Sequence, residues 1–430
     1  MGRLCLLLLT LLGLRANAAD TQPSLAFTHI TVIDCTGAPA QPDMTVVIRG
    51  DKIAEVGKSS NVTLSKNATV IDSKGKFMIP GMWDMHGHLT YFGEGAFSLL
   101  VMNGVIGVRD MGGDLDQIDQ WRQEIESGKR VGPHIVRAGP FVDGPKPNLK
   151  DRLTVTNADE AHRAVASLKA RGVDFIKTHN GLSREAFFAV AEEARKQGLP
   201  LAVHLPTGLW TKCGVEGVSI AEASDAGAKT LEHIEILLES ALCRKGATAK
   251  NLEEAFAENT GKKGQDIFER LRKSGTWYVP TLVAYYRGFV LWSGNPKETE
   301  GSKELHLKHL ELLGAMHKAG VRILAGSDFS DWALVPGVDL HNELALFVEA
   351  GFTPMEALQS ATRDPAEYLG VLDRQGTIEK GKIADLVLLT ADPLEDISHT
   401  RMIDSVVLRG RLLPIARMRD EILNSQKVVP

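Results

Sequence analysis

Two histidines one residue apart, His86 and His88, close the run Lys76-Phe-Met-Ile-Pro-Gly-Met-Trp-Asp-Met-His86-Gly-His88. Residues i and i+2 of a strand share a face, so both imidazoles point to one side. Neutral imidazole nitrogen is a common zinc ligand, and a pair presented at a strand's end is a metal grip. The pair gains weight from four more groups further along. Lys177 ends Val173-Asp-Phe-Ile-Lys177, His204 ends Leu201-Ala-Val-His204, His233 ends Thr230-Leu-Glu-His233 and Asp328 ends Ile323-Leu-Ala-Gly-Ser-Asp328. Each follows an apolar stretch and precedes a polar loop. Singly, each has a plain structural reading: a satisfied core histidine, a solvated lysine, an aspartate capping a helix. The succession of all six at strand ends is what points to a metal site. His179 is expected in the substrate pocket, and His134 is read as structural.

The elements that must position these groups follow from the apolar pattern. Between residues 81 and 370, short apolar runs alternate with amphipathic helical stretches. Strands are expected at 104–109, 134–138, 174–178, 200–204, 229–233, 278–282 and 322–327, which with the His86 run makes eight. Helices are expected at Ala158–Ala170, 184–197 and 255–274. Strands alternating with helices imply parallel βαβ units. Eight such units fit a TIM barrel, whose loops beyond the C-terminal strand ends build the active site. A doubly wound open sheet is the alternative. Closure is favoured because only a barrel brings the ends of so many strands to one point. Residues 25–75 and 384–410 read instead as short strands with turns at Gly50-Asp51 and Arg409-Gly410. The expected fold is α/β: a (β/α)8 TIM barrel over 81–370, with a small β-sandwich domain formed by both chain ends, 19–80 and 371–430.

With 430 residues, 43% hydrophobic and 24% charged, the chain is long enough for one large domain and a smaller one. A formal charge of −5 argues against nucleic acid as a partner. Arg3, the apolar residues 4–14 and Ala16-Asn17-Ala18 read as a cleavable secretory signal spanning 1–18. That core is short for a bilayer, so no stable membrane insertion is expected after cleavage, and the location is secreted or periplasmic. A retained anchor is the alternative. Export permits disulfides, but Cys35, Cys213 and Cys243 remain, an odd number. They are read as ordinary small residues, with a Cys213–Cys243 pair left open. Asn61-Val-Thr63 and Asn67-Ala-Thr69 fit the glycosylation pattern.

Several phrases carry a resemblance. Ile79-Pro-Gly-Met-Trp-Asp-Met-His-Gly-His88, the strand-end histidines, Gly-Ser-Asp328 and Gly376-Thr-Ile-Glu-Lys-Gly-Lys-Ile-Ala-Asp385 resemble the amidohydrolase superfamily over nearly the whole mature length. Val108-Arg-Asp110-Met-Gly-Gly113, Phe175-Ile-Lys177, Val279-Pro-Thr-Leu282 and Gly351-Phe-Thr-Pro-Met-Glu-Ala-Leu358 are similar to the narrower Xaa-Pro dipeptidase/arginine carboxypeptidase-like group, within the imidazolonepropionase-like branch. The resemblance implies two divalent metal ions, zinc first among them, bridged by a carboxylated Lys177. It places His86, His88 and Asp328 on one ion and His204 and His233 on the other. Carboxylation needs a neutral amine, which burial beside cations favours. Tyr285 sits where the resemblance implies a contact to a substrate carboxylate. The segment from 205 to 220 is longer than the Gly-rich stretch of that group, so the substrate is not carried over.

The expected function is an exported metal-dependent amidohydrolase. It would cleave an amide bond of a small molecule or dipeptide through a metal-activated hydroxide, with Asp328 as proton acceptor and donor. Esters, lactones and phosphotriesters are accessible to the same centre. An imidazolonepropionase-like cyclic-amide hydrolase and a non-catalytic metal-binding protein are the rivals. Mixed nitrogen and oxygen ligation also admits manganese, iron or cobalt. A homo-oligomer is left open.

Overall fold

The computed structural model describes residues 24–145, 150–206, 217–238, 249–292, 300–330, 334–416 and 418. The expected signal segment, Cys213, Cys243 and most of the long segment after His204 lie outside the described residues. Among the described residues no helix is long and apolar enough to cross a membrane. Cys35 is buried and free.

Strands from both ends of the chain share one eight-stranded mixed sheet. Ser24–Val32, Gln41–Arg49, Lys52–Lys58, Ala68–Asp72 and Phe77–Pro80 come from one end, and Leu386–Leu389, Ile403–Leu408 and Arg411–Pro414 from the other. The ends meet where Phe77–Pro80 pairs antiparallel with Leu386–Leu389, Val387 opposite Ile79. Alternate residues (Phe27, Val46, Ile48, Met78, Leu386 and Leu388 among them) bury a core of their own. Phe77–Pro80 leads through Gly81 into Met82–Gly87, so this sheet hands the chain directly to the His86 strand.

The middle of the chain is α/β. Met82–Gly87, Val105–Asp110 and His134–Arg137 form a parallel three-stranded sheet. Arg152–Thr154, Phe141–Asp143, Ile176–Thr178, Leu201–Val203, Ala228–Glu232 and Trp277–Val279 form, in that spatial order, a parallel sheet of six. Backbone hydrogen bonds tie both edges of the three-stranded sheet to its neighbours. Asp174 N–H donates to Arg137 carbonyl at 3.0 Å; on the far side Tyr278 bridges Ile323, and Met85 N–H donates to Ala325 carbonyl at 2.9 Å. Nearly every residue of the inner strands is buried, which suits parallel strands covered on both faces.

The helices stand where apolar spacing and caps put them. Ala158–Ala170 starts on Asn157, whose side chain accepts from Glu160 N–H, and Arg184–Lys196 starts on Ser183, which accepts from Ala186 N–H. Their inward faces (Ala161, Val165 and Leu168; Phe187, Val190 and Ala194) join the main core. Two expectations need correction. The single helix at 255–274 is two, Ala249–Thr260 and Lys262–Ser274, because Gly261 adopts extended backbone between them. The strand at 322–327 is reduced to one isolated bridge at Ile323, because the backbone turns out through Gly326-Ser327 to Asp328, which lies at φ 56°.

Candidate metal centre

His86 and His88 leave the end of Met82–Gly87 with their rings tied from behind. His86 Nδ1 lies 2.8 Å from Glu232 Oε2, and His88 Nδ1 lies 3.1 Å from the Gly112 carbonyl. Carboxylate and carbonyl oxygens only accept here, so a neutral ring in either place that keeps its proton on Nδ1 turns an Nε2 lone pair forward. Both lone pairs face one oxygen: Asp328 Oδ1 lies 3.4 Å from His86 Nε2 and 3.2 Å from His88 Nε2. His86, His88 and Asp328 thus offer three ligand atoms within 4.8 Å of one another.

Asp328 is brought there by a fixed loop. Its N–H donates to His86 carbonyl at 2.6 Å, and Gly326 passes so close that a Cβ there would lie 2.8 Å from the His86 nitrogen. Asp84, buried below, accepts from Ser327 N–H at 2.9 Å and from the Ser327 hydroxyl at 2.5 Å. Burial drives the Asp84 carboxyl up to about 7. On the other flank Asp110 accepts from Leu89 N–H at 2.8 Å, pinning the residue after His88; burial lifts it to about 6.

Histidines 233, 204 and 179 extend the cluster as a file of rings. Centroids are 4.7 Å apart for His86 and His233, 4.5 Å for His233 and His204, and 5.0 Å for His204 and His179. His233 Nδ1 lies 2.9 Å from the Thr281 hydroxyl and 3.8 Å from Asp328 Oδ2. His233, Thr281 and Asp328 all have positive φ (73°, 46° and 56°), the left-handed region that residues with side chains adopt uncommonly. Lys177 is 2% exposed on Ile176–Thr178. Burial depresses its amine to about 8 against the opposing pull of Glu232 and Asp328.

The charges of the cluster suit a cation. Burial holds His86 and His233 well below the ordinary imidazole range, keeping them neutral as ligands must be. For His88 burial acts the same way, but the Asp328 carboxylate outweighs it and raises the ring. Burial pushes Asp328 up; His86, His88 and Lys177 together outweigh it and lower the carboxyl below its usual range.

Of the other expected site residues, His179 stands beside His204, with Nδ1 3.3 Å from buried Asp143. Tyr285 lies on the helix Leu282–Trp292, edge-on to buried His309 with centroids 4.5 Å apart. His134 lies at the opposite end of its strand, 2.9 Å from Asp385, and lines a cavity of about 690 Å³ with Trp83, Asp174 and Arg409. None of the six candidate ligands borders that cavity. Sequence reasoning missed Glu232, Arg109 and Asp84. Their signal is a charged side chain inside an otherwise apolar strand, where burial demands a partner.

Residues 77–413 match the amidohydrolase family model. The chain is 22% identical over 409 residues to an adenine deaminase of Rubrobacter xylanophilus, covering 91% of this chain and 58% of that protein. It therefore spans less than two thirds of that relative. It is 25% identical over 394 residues to the imidazolonepropionase of Agrobacterium fabrum, covering 82% and 85%. A solved Xaa-Pro dipeptidase with methionine bound in its active site shares the fold, with a TM-score of 0.71 at 21% identity over 91% of this chain and all of that one.

Proposed function

The chain belongs to the amidohydrolase family, and from that premise we propose an exported metal-dependent hydrolase that cleaves the amide bond of a small molecule or dipeptide. The observation that carries the reading is the convergence of the His86 and His88 Nε2 lone pairs on the Asp328 carboxylate. Two neutral imidazoles and a carboxylate fit a borderline cation such as zinc. His86, His88 and Asp328 would hold one ion; His204 and His233 would hold a second, with a carboxylated Lys177 between the two. The file of rings and the depressed amine of Lys177 support that arrangement. The edge-to-edge hydrogen bonds of the two parallel sheets support a closed (β/α)8 barrel, and the shared core of the two chain ends supports a separate β-sandwich-like domain. Export rests on the sequence of residues 1–18.

A bound divalent cation lowers the pKa of water and polarises a carbonyl. The chain's own residues supply the rest. Asp328 is ionised, faces the site and is 25% exposed, so it accepts the proton of the attacking water and returns it to the departing amine. Asp84 and Ser327 keep that carboxylate in place. His179 and Tyr285 are proposed to contact the substrate. A second reading, a one-metal cyclic-amide hydrolase, draws on the compact His86–His88–Asp328 set and on the likeness to imidazolonepropionase.

The test is Asp328→Asn, assayed on metal-loaded protein against dipeptides and N-acyl amino acids that the wild type turns over. Turnover should vanish while much of the metal stays bound. Near-normal turnover would overturn the assigned role.

A further inference from the structure

Resting on the metal-centre reading above, we propose that Glu232, clamped by Arg109, is a positioning residue that fixes the tautomer and direction of His86 and so sets the affinity of the cation site. The residues form one buried relay. Glu232 and Arg109 are both fully buried, and Arg109 Nη2 donates to Glu232 Oε1 at 2.9 Å and to Oε2 at 3.0 Å. The Thr230 hydroxyl also donates to Oε1. With these donors in place, Oε2 is left to accept from His86 Nδ1–H at 2.8 Å.

Arg109 is itself held on every side. Nε donates to the Met85 carbonyl at 2.6 Å, and Nη1 donates to Thr230 Oγ1 at 3.0 Å and to the Tyr368 hydroxyl at 3.2 Å. Phe175 and Tyr368 place their rings 5.5 and 5.4 Å from the guanidinium carbon. A planar guanidinium with fixed donors presents a carboxylate in one orientation, which a flexible lysine would not do.

The consequence for His86 is specific. Behind His88 stands the neutral Gly112 carbonyl, whereas His86 has a carboxylate at full hydrogen-bonding distance. A carboxylate behind a ligand histidine fixes the ring and makes its other nitrogen a stronger donor. A purely structural Arg–Glu pair would need only each other; this one spends its last acceptor on a ligand.

The measurement is zinc affinity by competition with a chromophoric chelator, on wild type, Glu232→Gln, His86→Ala and the double variant, each checked for native circular dichroism. Loss of a ligand's supporting partner typically weakens metal binding about 10- to 100-fold, and Glu232→Gln should fall in that range. On the His86→Ala background the same change should weaken binding by less than about twofold, because the pair acts through one ring. A folded Glu232→Gln protein with wild-type affinity overturns the proposal, as does an equal loss on both backgrounds. Should Glu232→Gln not fold, Glu232→Asp keeps the charge opposite Arg109 and withdraws the oxygen from His86 by one methylene; weakened zinc binding supports the proposal and unchanged binding overturns it. A wild type that binds no zinc would defeat the metal-centre reading itself, a separate result.

Discussion

Glu343 offers the sharpest test of the electrostatics behind the site. Its carboxyl, fully buried on the helix Val338–Glu349, accepts from Leu282 N–H at 3.0 Å and Val283 N–H at 2.8 Å. These bonds anchor the first turn of Leu282–Trp292 directly after Thr281, the partner of His233. Burial raises the group to about 8, with the two N–H bonds pulling the other way and Asp84 and Asp339 adding to the rise. Below about pH 4.5 the group is protonated in folded and unfolded chains alike and stability does not depend on it. Between about 4.5 and 8 the unfolded chain releases the proton and the folded chain keeps it, so stability falls as pH rises. The slope is about 1.4 kcal/mol per unit, or about 3 kcal/mol between pH 5.5 and 7.5. Glu343→Gln keeps the shape and one acceptor but sets an amide N–H₂ against one backbone N–H, a loss of about 1–3 kcal/mol at every pH. Urea unfolding should therefore show wild type losing about 3 kcal/mol relative to the variant between pH 5.5 and 7.5, enough to make the variant the more stable protein at pH 7.5. Asp110 titrates in both proteins and cancels in the difference, whereas Asp84 is coupled to Glu343 and its share enters the measured change. Parallel pH profiles for the two proteins would refute the reasoning.

Gly87→Ala should drive a Cβ into the Phe329 ring and shift the loop that carries Asp328, so thermal unfolding should show a loss of about 1–3 kcal/mol with weakened zinc binding; an unaltered melting curve would contradict the close contact. Because the Lys177 amine sits at about 8, its neutral fraction falls about tenfold per unit below that pH. At constant dissolved CO₂, reconstitution of metal-free protein should be about tenfold faster at pH 7.5 than at 6.5 and level off above about 8; equal rates would exclude carboxylation as the slow step. Stripping the metal with a chelator should lower the melting temperature, since a ligand bound only by the folded chain stabilises it by RT ln(1 + c/Kd), with c the free ligand concentration. An unchanged melting temperature would mean that no such ion was bound.

Much of the candidate site was legible because five of its six groups lie within or just after buried strands, and such positions are visible as the close of an apolar run. His86 and His88 share a face by local periodicity, and the helices after Asn157 and Ser183 were marked by their caps. What escaped was held by long-range pairing. Glu232 meets His86 across 146 residues and Arg109 across 123, and no local pattern specifies such partners. The 322–327 strand was over-read because its apolar run is indistinguishable from a laddered strand, although only Ile323 makes a bridge before the turn to Asp328. Gly261 was absorbed into one long helix because apolar spacing continues on both sides of it. Tyr285 was assigned by resemblance, and its place against His309 depends on how Leu282–Trp292 packs on Glu300–Lys318.

The most direct test of the central claim is metal content per chain, by elemental analysis of protein purified without chelator, for wild type and Lys177→Ala. The account predicts about two zinc ions per wild-type chain and a sharp fall in the variant, as a lysine-bridged pair requires. About one metal per chain, unchanged by the substitution, would contradict it, leaving Lys177 a bystander and the centre mononuclear.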